Sequence, residues 1–222
     1  MCMVCIFPNI EYSNSFLRLR GKDGDVRPVP KSMITLLSGQ GSHPEFHFIK
    51  KDFSEQFDND INKLEQNIFD CVCGYHPGDD LESIFHKIQI WGGITGRNIY
   101  VRQNFSWSPI APKYQELVDA CLNINDLSEE SIDKLYDAFV RFREVKFIDV
   151  SFTTKHIHFW TYVNLKQDAF PIFDKVMSEN LLNKKVNFGN LKAYWRDMIN
   201  KSKEENVNLI SLERQLFNNF QL

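Results

Sequence analysis

The amino-acid sequence predicts an all-α protein with at most a few short strands, and three observations carry that expectation. Apolar residues recur at helical spacing in run after run from Asp52 onward. Capping residues open many of these runs, and glycine or proline closes several. No internal repeat or low-complexity tract interrupts them.

Residues 1–50 read as loops and short elements, because Gly21, Gly24, Gly39, Gly41, Pro28, Pro30 and Pro44 punctuate them. From Asp52 to about Cys73, the residues Phe53, Phe57, Ile61, Leu64, Ile68 and Phe69 mark one long amphipathic helix, ended by Gly74 and Pro77. Asp79 and Glu82 resemble a capping pair opening a helix from Leu81 to about Trp91. WGGITGRNIYVR then reads as a glycine-rich turn leading into a short extended piece, Asn98 to Arg102. Pro112 suits the first position of a helix that ends near Asn123. Asp126 or Ser128 caps the next, whose Ile132, Leu135, Tyr136, Phe139, Val140 and Phe142 form one face. Further helices are expected over 153–163, 174–182, 188–204 and 207–220.

The chain has 222 residues, 43% hydrophobic and 25% charged, which suffices for one core or two small helical lobes sharing a cleft. Its 19 Phe and 4 Trp point first to an aromatic-rich core, since each ring buries a large area. No run of about 18 apolar residues exists, which argues against a membrane span. The opening MCMVCIFPNIEYS lacks a basic region and does not read as a secretory signal. Five cysteines without framework spacing fit a reducing, cytoplasmic setting. The formal net charge is −3, yet charge is unevenly spread. Lys51 to Glu82 holds nine acidic and two basic residues; Lys184 to Lys203 holds six basic residues against Asp197 alone. Lys192 and Arg196 are four apart on one helix face, where they would either contact phosphates or form a solvated surface.

The most informative stretch is VKFIDVSFTTKHIHFWTYVNLKQDAFPIFDKVM. Thr153 and Thr154 can cap a helix starting at or just before Lys155. An amine in a first turn feels the positive end of the helix dipole, which disfavours its protonated form. Burial among Phe152, Phe159 and Trp160 would act in the same direction, and a lysine nucleophile needs such a lowered pKa. Downstream, Pro171 breaks the chain and Asp174 falls near the start of the next helix, where backbone amides keep a carboxylate ionised.

These residues resemble the helix-hairpin-helix DNA glycosylases, in particular their 8-oxoguanine glycosylase-like branch. There a hairpin presents a lysine at a helix start, and an aspartate follows about one helix and one turn later, just after a proline element. Here Lys155 precedes Asp174 by 19 residues, and Asp174 ends Phe170-Pro171-Ile172-Phe173-Asp174. The resemblance covers about 130–182, with WGGITGRN and the C-terminal region similar only loosely. Residues 1–222 would form a single unit of the compact prokaryotic type, with two helical lobes around a cleft. One departure concerns the hairpin: the matching Asp149-Val150-Ser151-Phe152-Thr153-Thr154 has no glycine, so Ser151, Thr153 and Thr154 would supply its DNA contacts.

The resemblance implies a glycosylase and lyase acting on duplex DNA from which a damaged or modified base, an 8-oxoguanine-like purine first, has been extruded. Lys155 would attack C1′ and displace the base, and the imine would permit strand nicking. Asp174 would stabilise positive charge on the sugar. Neither metal nor organic cofactor is implied, and a monomer associated with the nucleoid is expected. Phe159, one turn after Lys155, and Trp91, beside Gly92 and Gly93, are candidates to hold the base; core packing and a glycine-capped helix end are their plainer roles. Gln215 is a weaker candidate reader of the base edge.

Other patterns are less specific. Cys71, Cys73 and His76, with His43 and His47, match no familiar zinc spacing. His156 and His158 point to different sides of a helix, as packing groups or as a proton relay. Two further functions compete with the enzyme: a protein that binds modified DNA without cutting it, and a component of a phage-defence system acting with other defence or repair proteins.

Overall fold

The computed structural model describes residues 61–92, 99, 106–146, 148–174, 177–178 and 187–219. Among them are seven α-helices and no strand: α1 Ile61–Cys73, α2 Leu81–Trp91, α3 Ala111–Leu122, α4 Glu129–Phe142, α5 Val150–Leu165, α6 Leu191–Glu205 and α7 Leu209–Asn219. The all-α expectation therefore holds for the described residues. The expected helix from Asp52 is described only from Ile61, and residues 1–50 lie outside the described set. Ile99, placed by the sequence reading in an extended piece, is helical and buried.

Each helix start has a local cause. Asp80, rather than Asp79, caps α2 by accepting the Ser83 N–H, while Asp79 accepts the His76 N–H in the preceding turn. A proline in the first turn of α3 leaves no helix donor wasted. Ser128 caps α4 by accepting the Ser131 N–H, and Asp126 accepts from both serines. On α4, Ile132, Leu135, Phe139 and Phe142 are buried as expected, but Val140 is 39% exposed and stands off the apolar face.

Helix α5 is the centre of the described helices. Every residue from Phe152 to Tyr162 is buried, and α1, α2, α3 and α4 all pack against it. A helix buried all round shows no clean amphipathic stripe, and its polar residues need internal partners. Thr153, Thr154 and Thr161 return their hydroxyl protons to carbonyls one turn back, at Asp149, at Val150 and Ser151, and at Ile157 and His158. The helix stops at Lys166, whose φ of 53° reverses the chain into a short 3-10 turn, Lys166–Asp168.

The segment 169–174 that follows belongs to no helix, yet 169–173 is buried. Buried backbone outside regular structure must find its hydrogen bonds elsewhere. Phe170 N–H donates to Thr161 Oγ1 at 3.1 Å, Ile172 N–H to Glu213 Oε1 at 2.9 Å and Phe173 N–H to Thr154 Oγ1 at 3.0 Å. The carbonyl of Phe170 accepts from His158 Nδ1, that of Pro171 from Trp195 Nε1 and that of Ile172 from the Tyr194 hydroxyl. Pro171 has no N–H to satisfy. The segment thus runs between α5, α6 and α7, paired by side chains from all three.

This bonding predicts a specific instability. Thr161→Val keeps the shape but strands the Phe170 N–H, so urea denaturation should show a loss of about 1–3 kcal/mol. A loss below a few tenths would mean that the segment does not rely on its side-chain partners.

Candidate active site

Helix α5 begins earlier than the sequence reading placed it. Its cap is Asp149, which accepts the Phe152 N–H at 2.9 Å, and Val150 is the first helical residue. Thr153 and Thr154 are consequently helical, fully buried residues, with hydroxyls spent on backbone. The stretch read as a glycine-free hairpin is a cap and the first turns of a helix; the described turn residues are 143–146. Lys155 lies in the second turn, beyond the strongest reach of the helix dipole.

Burial takes over the role expected of that dipole. Lys155 is 4% exposed; its Nζ donates to Ser151 Oγ at 2.8 Å and sits 4.9 Å from the centre of the Phe152 ring. Loss of water holds its pKa below the ordinary lysine range, against the opposing pull of Asp174, Asp149 and Glu213. Ser151 and Asp174 are both half-exposed, so the amine lies just inside the surface.

Asp174 reaches this place through the extended segment. The bond from Phe173 N–H to Thr154 Oγ1 ties the residue before Asp174 to the residue before Lys155, across 19 positions of sequence. Asp174 Oδ1 accepts the Met177 N–H at 3.0 Å, and its carbonyl accepts from Ser178, so it caps the following turn as expected. Residues 177–178 are helical; the rest of the helix expected over 174–182 lies outside the described residues, apart from Asp174 itself. Asp174 acts electrostatically on Lys155 where α5 meets the segment.

The sequence reading missed Glu213. This carboxyl on α7 is 4% exposed, and burial, with Asp174 adding to it, pushes its pKa up to about 8 against the pull of the Ile172 N–H, Arg214 and Lys155. Its Oε2 lies 3.9 Å from His158 Nδ1. Burial lowers His158 to about 4, and Nδ1 must carry a hydrogen to meet the Phe170 carbonyl. At neutral pH the contact is thus between neutral groups, not an ion pair. No local signal in the helical run around Glu213 marks it as buried.

His156 turns to another side of α5, as expected. Gln89 Nε2 lies 3.0 Å from its Nε2, the Tyr114 hydroxyl 2.9 Å from its Nδ1, and Phe85 stacks on the ring. Trp160 Nε1 donates to the same hydroxyl. Burial lowers His156 to about 3.

The rings expected to hold a base lie in the core. Phe159 and Trp91, the latter 2% exposed, meet edge to face at 4.9 Å, and Phe69 packs on Phe159. Gly92 serves packing rather than substrate: a Cβ there would come within 2.2 Å of the Phe152 ring. The basic pair is also committed internally. Lys192 Nζ donates to Asp133 Oδ1 at 2.6 Å, and Arg196 binds both carboxylate oxygens of Glu129, tying α6 to α4. These acids on α4 oppose the positive charge that a phosphate would meet there. Gln215 is exposed. Cys71 takes a hydrogen bond from Lys87; among the described residues no group of metal-ligating side chains gathers, and His43 and His47 lie outside them.

Compared with known proteins, the chain matches no family model, no curated protein and no solved structure. The functional reading rests on the chemistry of the site.

The Gly92–Phe152 contact carries a consequence for that site. Gly92→Ala forces the Phe152 ring away from its place beside Lys155, and overpacking of this kind costs about 1–3 kcal/mol. The variant should unfold at lower urea and carry a displaced Lys155 amine resonance. Wild-type stability and an unmoved resonance would show that the ring yields freely.

Proposed function

We propose that this protein is a DNA glycosylase with lyase activity, in which Lys155 is the attacking amine and Asp174 its electrostatic partner. The observation that carries this reading is a buried lysine, held below its ordinary pKa, with the capping carboxylate of the next element acting on it. An unprotonated amine is what addition to a sugar C1′ requires, and desolvation shifts Lys155 toward that form. The helix–turn–helix arrangement of α4 and α5 and the 19-residue step to Asp174 support the same reading.

The chemistry follows from these groups. A nucleotide extruded from the duplex brings C1′ to Lys155 Nζ. The nitrogen lone pair forms the new C–N bond as the glycosidic bond breaks, and the base leaves with the bonding electrons and takes up a proton. The Asp174 carboxylate stabilises positive charge on the sugar as it develops. Ring opening gives an imine, and loss of a C2′ proton expels the 3′ phosphate. An 8-oxoguanine-like purine is the first substrate to try, on the strength of the resemblance.

A second reading, a protein of this shape that binds modified DNA without cutting it, is favoured by the low exposure of Lys155. Borohydride trapping separates the two. With a panel of oligonucleotides carrying modified bases or an abasic site, the wild type should form a covalent adduct. Lys155→Gln should abolish adduct and nicking alike. Asp174→Asn should slow base release by about 10²–10³, since the amide keeps the shape without the charge. Base release that persists in Lys155→Gln would make water the nucleophile. DNA binding by wild type with no adduct across the panel would establish the non-cutting protein.

A further inference from the structure

Glu213 lies beside the proposed pair but takes no part in the chemistry above. It comes from α7, the last described helix, and meets both the segment carrying Asp174 and His158 of α5. Its Oε1 accepts the Ile172 N–H at 2.9 Å, two residues before Asp174. Asp168 Oδ1 accepts the Leu209 N–H at 3.1 Å and so fixes the start of α7 against the turn that leads into the segment. The helix bearing Glu213 is therefore pinned once to the segment bearing Asp174 and once to the turn that precedes it.

We propose that Glu213 is a positioning residue of the Lys155–Asp174 site. It fixes the segment that places Asp174, and its buried carboxyl sets the pH at which the Lys155 amine becomes available. The proposal rests on Lys155 being the functional amine, but the measurement that decides it, the Lys155 titration, does not require DNA.

The groups facing Glu213 are known from each neighbouring element. His158, three residues after Lys155 on α5, lies 3.9 Å from Glu213, and Lys155, Asp174 of the segment, Tyr194 of α6 and Arg214 of its own helix interact with it electrostatically. Those acting on Lys155 are Asp149, Asp174 and Glu213. His158 is neutral above about 4, so it does not screen the carboxyl near neutral pH. The direction of coupling follows. Below about 8 Glu213 is mainly protonated and leaves Lys155 to the effect of burial. Above that it ionises, and the new negative charge stabilises the ammonium, opposing release of the amine. Glu213 thus limits how far a rise in pH frees the nucleophile.

Stability responds with a defined sign. A carboxyl raised from 4.5 to about 8 keeps its proton in the folded protein while the unfolded chain has lost it. Its contribution is full below 4.5 and is lost as pH rises through about 8.

The test uses the full chain labelled with 13C at lysine Cε, with the Lys155 resonance identified by its absence in Lys155→Arg. Glu213→Gln keeps an acceptor for the Ile172 N–H and removes the titration. In this variant the Lys155 midpoint should fall by about one pH unit relative to wild type. The urea midpoint of wild type should also decline, relative to Glu213→Gln, as pH rises from 4.5 to 8. Glu213→Ala should lower the melting temperature and weaken borohydride trapping on abasic DNA at pH 7, and Gln should restore both. An unmoved Lys155 midpoint in a folded Glu213→Gln overturns the proposal. Should that variant fail to fold, the wild-type curve decides: two steps for Lys155 support the coupling, and one step overturns it. A moved midpoint with no DNA trapping in wild type would sink the glycosylase reading and leave the coupling standing. Trapping with an unmoved midpoint would do the reverse.

Discussion

The structure depends on how five buried, non-helical residues, 169–173, satisfy their backbone. Each unpaired amide or carbonyl in a dry interior costs as much as several good contacts contribute. Here the bonds come from side chains of Thr154, His158, Thr161, Tyr194, Trp195 and Glu213. Because α5, α6 and α7 each supply part of the set, the segment locks their relative positions as they lock it. Threonine suits the task on a buried helix. Its hydroxyl proton returns to a carbonyl of its own helix, which leaves an oxygen lone pair for an outside N–H.

Asp174 inherits its position from this arrangement. It follows directly on Phe173, whose amide is held by Thr154, the neighbour of Lys155. A surface loop with the same sequence would carry the aspartate anywhere within its reach. Here the carboxylate emerges where the segment meets the surface, half-exposed, with its own cap bond to Met177. The amine is held differently, by Ser151 and the Phe152 ring within its own helix turn. Two independent supports thus hold the amine and the carboxylate, one within α5 and one through the segment.

The aromatic richness serves the core around α5. Phe69, Trp91 and Phe159 form one cluster, and Phe85, Tyr114, His156 and Trp160 another, on different sides of the helix. The second cluster contains buried polar atoms, all of them engaged with one another. Such a network fixes the register of α2 and α3 on α5 more sharply than apolar contacts alone. The basic run on α6 has a comparable structural use, because its ion pairs with α4 set how the last helices meet the earlier ones.

What the sequence determined by itself was local. Helical spacing, the Ser128 cap, the proline at the start of α3 and the capping place of Asp174 all follow from interactions within a few residues, so they were legible. The lowered pKa of Lys155 was also legible in direction, because its apolar neighbours stand beside it in the chain. Burial is the expected cause that holds; the dipole share falls away because the cap lies at Asp149, and a buried helix gives no periodic stripe from which its start can be counted. Tertiary structure alone decided the rest. Glu129 and Asp133 reach Lys192 and Arg196 from another helix, Phe159 and Trp91 meet across the core, and Glu213 turns inward. Each depends on contacts between residues 41 to 68 positions apart, and charge or ring type in a sequence does not say which distant partner it will meet.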